Sequence, residues 1–378
     1  MKYIKGANII TETQVLKNYV LGFEEKFSWI IPHDEFNIEE AEIIDAEGLF
    51  IAPGLIDVHI HGSGGKDTMD GTEEALKAIS STIVKNGVTA FLATTMTMEW
   101  GKVSRALDQI RKGMVGEMPG AQLMGAHMEG PFINIQFKGA QNSEYIIPPS
   151  WDLVKAYKDV IKLVTLAPEL PGSEELIKEL KKNNIVVSMG HSAAFYDEAV
   201  KGVEAGISHC THLFNAMTGV HHRNPGVASV ALATDVYCEL IADKIHVHPG
   251  LYELVKKAKG IDRITLITDC IEAGGMVDGT YSLGGQPVIV KNGAARLEDG
   301  TLAGSILNLN KGLFNFYKNT NTELFEVFRM ASINPAKELG IDSKKGSIAP
   351  DKDADFFLMD DEFNVKATYI KGKRIFYI

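Results

Sequence analysis

Two hydrophobic periods divide the chain. At the N-terminus, short apolar clusters are separated by polar turns: Tyr3-Ile4, Asn8-Ile9-Ile10, Val15-Leu16, Trp29-Ile30-Ile31 and Ile43-Ile44. Such clusters predict short strands. The C-terminus repeats the pattern at 355–359, 365–370 and 374–377, with Lys371-Gly372-Lys373 as a turn. Neither piece can bury a core alone. Both ends are therefore expected to pair into one small β-sandwich domain, residues 1–53 with 340–378.

Between them the period changes. Apolar runs at 55–61, 89–95, 123–129, 162–167, 185–190, 208–213, 238–242 and 263–268 alternate with helical patterns at 72–86, 103–112, 151–161, 173–183, 194–205 and 250–259. Strands alternating with amphipathic helices are the signature of a parallel sheet. Eight such strands predict an α/β fold, a TIM-like (β/α)8 barrel over 54–339. A doubly wound open sheet is the alternative, but it calls for a glycine-rich phosphate fingerprint after its first strand. His59-Ile60-His61 stands there instead. Near 280–304 the alternation breaks, and Gly284-Gly285 and Asn292-Gly293 predict a β-hairpin insertion. Helix resumes at 308–317 and 322–332.

Composition narrows the function classes. The chain has 378 residues and a formal net charge of -11, which argues against a nucleic-acid surface. No apolar run is long enough to span a membrane, and the first residues carry no signal-peptide pattern. The three cysteines, Cys210, Cys238 and Cys270, are far apart, so neither a disulfide framework nor a CxxC site is expected. This fits a reducing cytoplasm.

The candidate chemistry lies at the C-terminal ends of the predicted strands. His59 and His61 are two residues apart, which on a strand puts both rings on one face. Two core histidines that happen to alternate are the plain alternative. The third strand ends in His127 and Glu129, the fifth in His191, the sixth in His209 and His212, the seventh runs into Asp243 and His246, and the eighth into Asp269. In a barrel these ends converge on one rim, where active sites lie. Imidazole and carboxylate together suit Zn²⁺ or Fe²⁺. Glu129, His191 and His212 form a set that leaves a coordination position open for water. His59 and His61 could hold a second ion, with Glu129 as a bridge. Asp269 is the best general base, although it could equally be another ligand. His127 reads as support for the site and His209 as structural.

Several motifs together carry a resemblance. They are the 53–62 run Pro-Gly-Leu-Ile-Asp-Val-His-Ile-His-Gly, Glu129-Gly130-Pro131-Phe132, Gly190-His191-Ser192, Thr211-His212-Leu213-Phe214-Asn215-Ala216-Met217 and Thr268-Asp269. With Gly346-Ser347-Ile348-Ala349-Pro350 and Asp353-Ala354-Asp355 near the end, the chain resembles the N-acetylglucosamine-6-phosphate deacetylase family of the amidohydrolase superfamily. The resemblance implies metal-dependent hydrolysis of N-acetyl-D-glucosamine 6-phosphate to D-glucosamine 6-phosphate and acetate, using one or two divalent ions per subunit. It implies Glu129, His191 and His212 as ligands and Asp269 as the acid–base residue. Its substrate pocket would use Ala140, Gln141, Asn215, Ala216, Arg223, Asp243, His246, Leu302, Ala303 and Gly304. Arg223 would reach a neighbouring active site in a homodimer; a solvated loop charge is its plain alternative. Some relatives carry His where this chain has Gln141, so a sugar-hydroxyl contact there would differ. Competing expectations are the galactosamine epimer, a cyclic amide, or a metal-binding protein without turnover.

Overall fold

The computed structural model describes residues 1–37 and 42–378. Its centre is an eight-stranded parallel sheet in consecutive order: β1 (Leu55–Ile60), β2 (Val88–Thr95), β3 (Gln122–Glu129), β4 (Ile161–Leu166), β5 (Val186–Met189), β6 (His209–Cys210), β7 (Tyr237–Ile241) and β8 (Ile264–Ile267). Strands β1 and β2 are buried at every position. That is expected when side chains fill one face of a sheet and helices cover the other. Closure comes just past β8: Ile60 bridges Cys270, and the Asp269 and His61 amides donate to His59 O and Cys270 O, each at 2.9 Å. The result is a nearly closed TIM-like barrel.

The strand registers set the C-terminal ends almost level. Glu129 lies beside Thr165, Leu166 beside Met189, and Ile241 beside Ile267. Strand ends therefore deliver their polar residues to one rim. Strand β6 has only two residues where the sequence predicted six. Past it the chain turns through left-handed backbone at His212, Phe214 and Ala216 (φ 30°, 78° and 49°).

The helices outside the barrel follow the sequence in most cases. Glu73–Ile83 starts where Thr72 Oγ1 accepts from Ala75 N at 3.2 Å, a side-chain N-cap. The predicted helix 151–161 is instead the four-residue Trp151–Val154 followed by a 3₁₀ turn, Lys155–Tyr157. Two helices lay outside the sequence reading, Val227–Ala233 and Ile333–Glu338. The predicted hairpin is a three-stranded antiparallel sheet, Gly279–Leu283, Gln286–Lys291 and Ala294–Arg296. Gln286 Nε2 ties it to the loop below by donating to Ala140 O at 2.6 Å.

Both chain ends supply the remaining large sheets. Four strands run in the order Phe27–Pro32, Tyr19–Phe23, Lys2–Lys5 and Glu42–Asp45. Six run in the order Lys373–Tyr377, Val365–Ile370, Phe356–Met359, Phe50–Pro53, Asn8–Ile10 and Val15–Leu16. Aromatic rings join them. Phe23 of the four-stranded sheet meets Phe356 of the six-stranded sheet edge-on at 5.0 Å, and Phe356 stacks on Tyr369 of its own sheet with centroids 4.5 Å apart. Such pairs add about 0.5–1.5 kcal/mol each beyond the burial of their area. Lys345 pins the crossover by pairing with Asp353 at 3.0 Å and Asp355 at 2.5 Å.

Candidate active site

Glu129 ends β3, and the histidines gather around it. Its Oε1 lies 3.1 Å from His191 Nε2 and 3.2 Å from His212 Nε2, and those two nitrogens are 3.1 Å apart. His191 Nδ1 is 2.9 Å from Phe137 O. A carbonyl only accepts, so Nδ1 carries the hydrogen and a neutral ring aims its Nε2 lone pair at the carboxylate. A cation held between that nitrogen and the carboxylate would be bound by both.

A second cluster shares Glu129. His59 Nε2 is 3.5 Å from Glu129 Oε1 and 3.4 Å from Asp269 Oδ1; His61 Nε2 is 3.4 Å from Glu129 Oε2 and 3.2 Å from Asp269 Oδ1. His59 Nδ1 lies 2.9 Å from Glu239 Oε2, which fixes its hydrogen on that side, and Nε2 is buried without a hydrogen-bond partner. Among the described residues, Glu129, His191 and His212 bring ligand atoms within 4.8 Å of one another, and so do His59, His61 and Asp269. Imidazole nitrogens and carboxylate oxygens in such sets fit a divalent transition metal.

Electrostatics point the same way. Burial opposes a charge on His59, but the carboxylates of Glu239, Asp269 and Glu129 outweigh it and raise its pKa to about 9. His61 is raised well above its ordinary value against the same penalty, by Asp269 and Glu129. Burial pushes the Glu129 carboxyl up, yet the surrounding imidazoles hold it well below the carboxylate range. Asp269 is likewise lowered against burial, by His59 and His61. This buried negative field would favour a cation.

Asp269 sits two residues past β8 with φ 50°, and its backbone is locked by His59 O and by Ser305 N, which donates to Asp269 O at 2.7 Å. Its side chain borders a cavity of about 200 Å³ whose wall includes His61, Glu129, His191 and His212. Ala140, Gln141, Asn215, Ala216, His246, Leu302 and Gly304 also line it. The structure thus brings most of the expected residues to one space.

Four of the expected residues are placed differently from the rest. Ala303 is fully buried and faces the core, its amide bonded to Ala295 O, while its neighbours Leu302 and Gly304 border the cavity. Asp243 stands behind His246, its Oδ2 2.7 Å from His246 Nδ1, and so orients that ring without reaching the cavity. Gln141 has both ends of its amide occupied: Oε1 accepts from Thr97 N at 2.7 Å and Nε2 donates to Glu129 Oε2 at 2.6 Å. It braces Glu129, with one bond made at each end of its amide. Arg223 lies away from the cavity of its own chain, on an exposed surface with Phe195 and Asn224, its Nη1 2.7 Å from His222 Nε2.

His127 supports the site by packing. Its ring meets His59 edge-on at 4.5 Å, while its nitrogens bond Val58 O and Thr165 Oγ1. Glu239 was missed. It sits within the apolar run 238–242 of β7, fully buried, and touches both His59 and the His212 amide. A lone carboxylate inside an apolar strand was the available signal, because such a group is rarely buried without a partner.

Comparison with known proteins gives the family. The amidohydrolase family model matches residues 50–375. The chain is 42% identical to N-acetylglucosamine-6-phosphate deacetylase of Bacillus subtilis, covering 99% of this chain and 96% of that protein. It is 36% identical to N-acetylgalactosamine-6-phosphate deacetylase of Escherichia coli O157:H7, covering 87% and 88%. The crystal structure of N-acetylglucosamine-6-phosphate deacetylase from Pasteurella multocida superposes with a TM-score of 0.94 at 32% identity, covering 99% of both chains. Matched along most of its length both by the family model and by relatives of this identity, the chain belongs to the amidohydrolase family.

Proposed function

We propose that the chain hydrolyses the acetamide of N-acetyl-D-glucosamine 6-phosphate, giving D-glucosamine 6-phosphate and acetate. The observation that carries this reading is the meeting of Glu129, His191 and His212 with Asp269 around one cavity. Glu129, His191 and His212 would hold one divalent ion, zinc or iron by their donor types, and His59 and His61 a second. Such an ion, when bound, polarises an amide carbonyl and makes water a stronger acid.

The chain's own groups do the rest. Asp269, kept ionised and bordering the cavity, takes a proton from the attacking water and delivers it to the departing nitrogen. Water's oxygen ends in acetate, and the amine leaves neutral. His246, oriented by Asp243, offers its other ring nitrogen to the sugar. Gln141 keeps Glu129 from rotating. Arg223, exposed and outside its own cavity, reaches the phosphate of a neighbouring subunit's substrate in a homodimer. Both chain ends, 1–53 and 340–378, form an accessory β-domain on the barrel 54–339. The cytoplasm suits three buried free thiols.

The glucosamine epimer is preferred because relatives of higher identity carry that name. A metal-binding protein without turnover is the competing reading, and it predicts no acetate release from metal-loaded protein. Acetate release from both epimers, assayed side by side on metal-loaded protein, tests the reading. A clearly higher kcat/KM for the glucosamine compound is expected. Equal rates, or none, would overturn it.

A further inference from the structure

Glu239 is a fully buried carboxylate in the middle of β7, a costly group to remove from water unless it is well partnered. Its partners are specific. Oε2 accepts from His59 Nδ1 and from the His212 backbone amide, both at 2.9 Å. Oε1 lies 3.0 Å from His209 Nε2. On the far side of that ring, His209 Nδ1 pairs closely with Glu338, the last residue of the helix Ile333–Glu338. His209 thus lies between two buried carboxylates, its Nδ1 bonded to Glu338 and its Nε2 in ion-pair contact with Glu239 Oε1, and its ring cannot turn without breaking a contact to one of them.

We infer that Glu239 is the positioning residue for both groups of candidate ligands, and that His209 and Glu338 hold it in place as a buried column. One oxygen acts on each group in a different way. It fixes a hydrogen of His59 on Nδ1, so the nitrogen left to bind a metal is Nε2, on the side of Glu129 and Asp269. It also clamps the amide of His212, whose φ of 30° is unfavourable for a side-chain-bearing residue and needs surroundings that hold it. A ligand held by its ring and a ligand held by its backbone thereby share one anchor. Glu338 makes no hydrogen bond to a candidate ligand among the described residues, so any influence it has on the centre must pass through His209 and Glu239.

The inference rests on the reading of these histidines as metal ligands. The test uses the full chain, stripped of metal and titrated with zinc against a chromophoric chelator, with folding followed by circular dichroism. In Glu239→Gln the amide oxygen can still accept from His59 and His212 while the amide nitrogen faces His209. Its shape is kept and its charge lost, so zinc affinity should fall by about 10- to 100-fold, the usual effect of removing an outer partner. Glu338→Gln should weaken zinc in the same direction by about tenfold or less, although it touches no ligand. It carries the test if Glu239→Gln does not fold. Wild-type zinc affinity in the folded variants would overturn the positioning role. Failure of the unaltered chain to bind zinc would instead overturn the metal centre itself.

Discussion

Two ligand groups meet at Glu129, and they are built by opposite means. His59 and His61 lie at the end of a regular strand, two residues apart, where the pleat alone turns both rings to one face. His191 and His212 lie just past strand ends on left-handed backbone, φ 49° and 30°. Such conformations cost of order 1–3 kcal/mol each and persist where neighbours over-determine them. Here the neighbours are Phe137 O for His191 and Glu239 for His212. The strand pair sets a rigid back wall, with His59 behind the cavity surface. The loop pair brings both of its rings to the cavity surface. On the proposed function, the loop group would hold the essential ion and the strand group a supporting one.

Substitutions can break that assignment. The largest effect is expected from His212→Ala, which removes a loop-group ligand. It should lose that ion and drop kcat/KM by more than about 10³-fold, the equivalent of about 4 kcal/mol. Activity within tenfold of wild type would move the essential ion to the strand group. Asp269→Asn separates chemistry from binding: metal content stays and kcat falls by about 10²- to 10⁴-fold. Loss of metal in that variant would make Asp269 chiefly a ligand. His61→Ala should lower metal per chain toward one, with a turnover loss of about tenfold, or about 1.4 kcal/mol. A loss equal to that of His212→Ala would erase the distinction between the groups.

Proton release sharpens the same picture without mutation. In the metal-free protein the carboxylates around His59 overcome its burial and raise its pKa to about 9, so the ring is protonated at pH 7. A ligand must be neutral, so metal uptake at pH 7 expels that proton. Affinity at the strand group should rise with pH through about 9. Calorimetric titration in two buffers of different ionisation enthalpy checks this; identical heats would show that no proton leaves.

The strand group was legible because its spacing is itself the geometry. The loop group was legible only as residue types at the ends of apolar runs. Nothing in a sequence reports that His191 Nε2 and His212 Nε2 end 3.1 Å apart. Glu239 was hidden because the apolar run around it defined the strand and its single charge was passed over. The helix Val227–Ala233 was missed because Val-Ala-Ser-Val-Ala-Leu-Ala is almost uniformly apolar and has no polar face to give a 3.6-residue period. Tyr19–Phe23 went unread as a strand because Gly22 interrupts it; that glycine is where Trp29 packs, within 3.0 Å of a would-be Cβ. Arg223 shows the opposite limit: its place relative to a second subunit is not a property of one chain.

Anomalous X-ray diffraction from crystals of the zinc-loaded protein tests the central claim most directly. The account predicts a strong peak bonded to Glu129, His191 and His212 at about 2.0–2.2 Å, with Asp269 facing the same cavity. An active, loaded protein whose peak lies elsewhere, with those three side chains unligated, would contradict it.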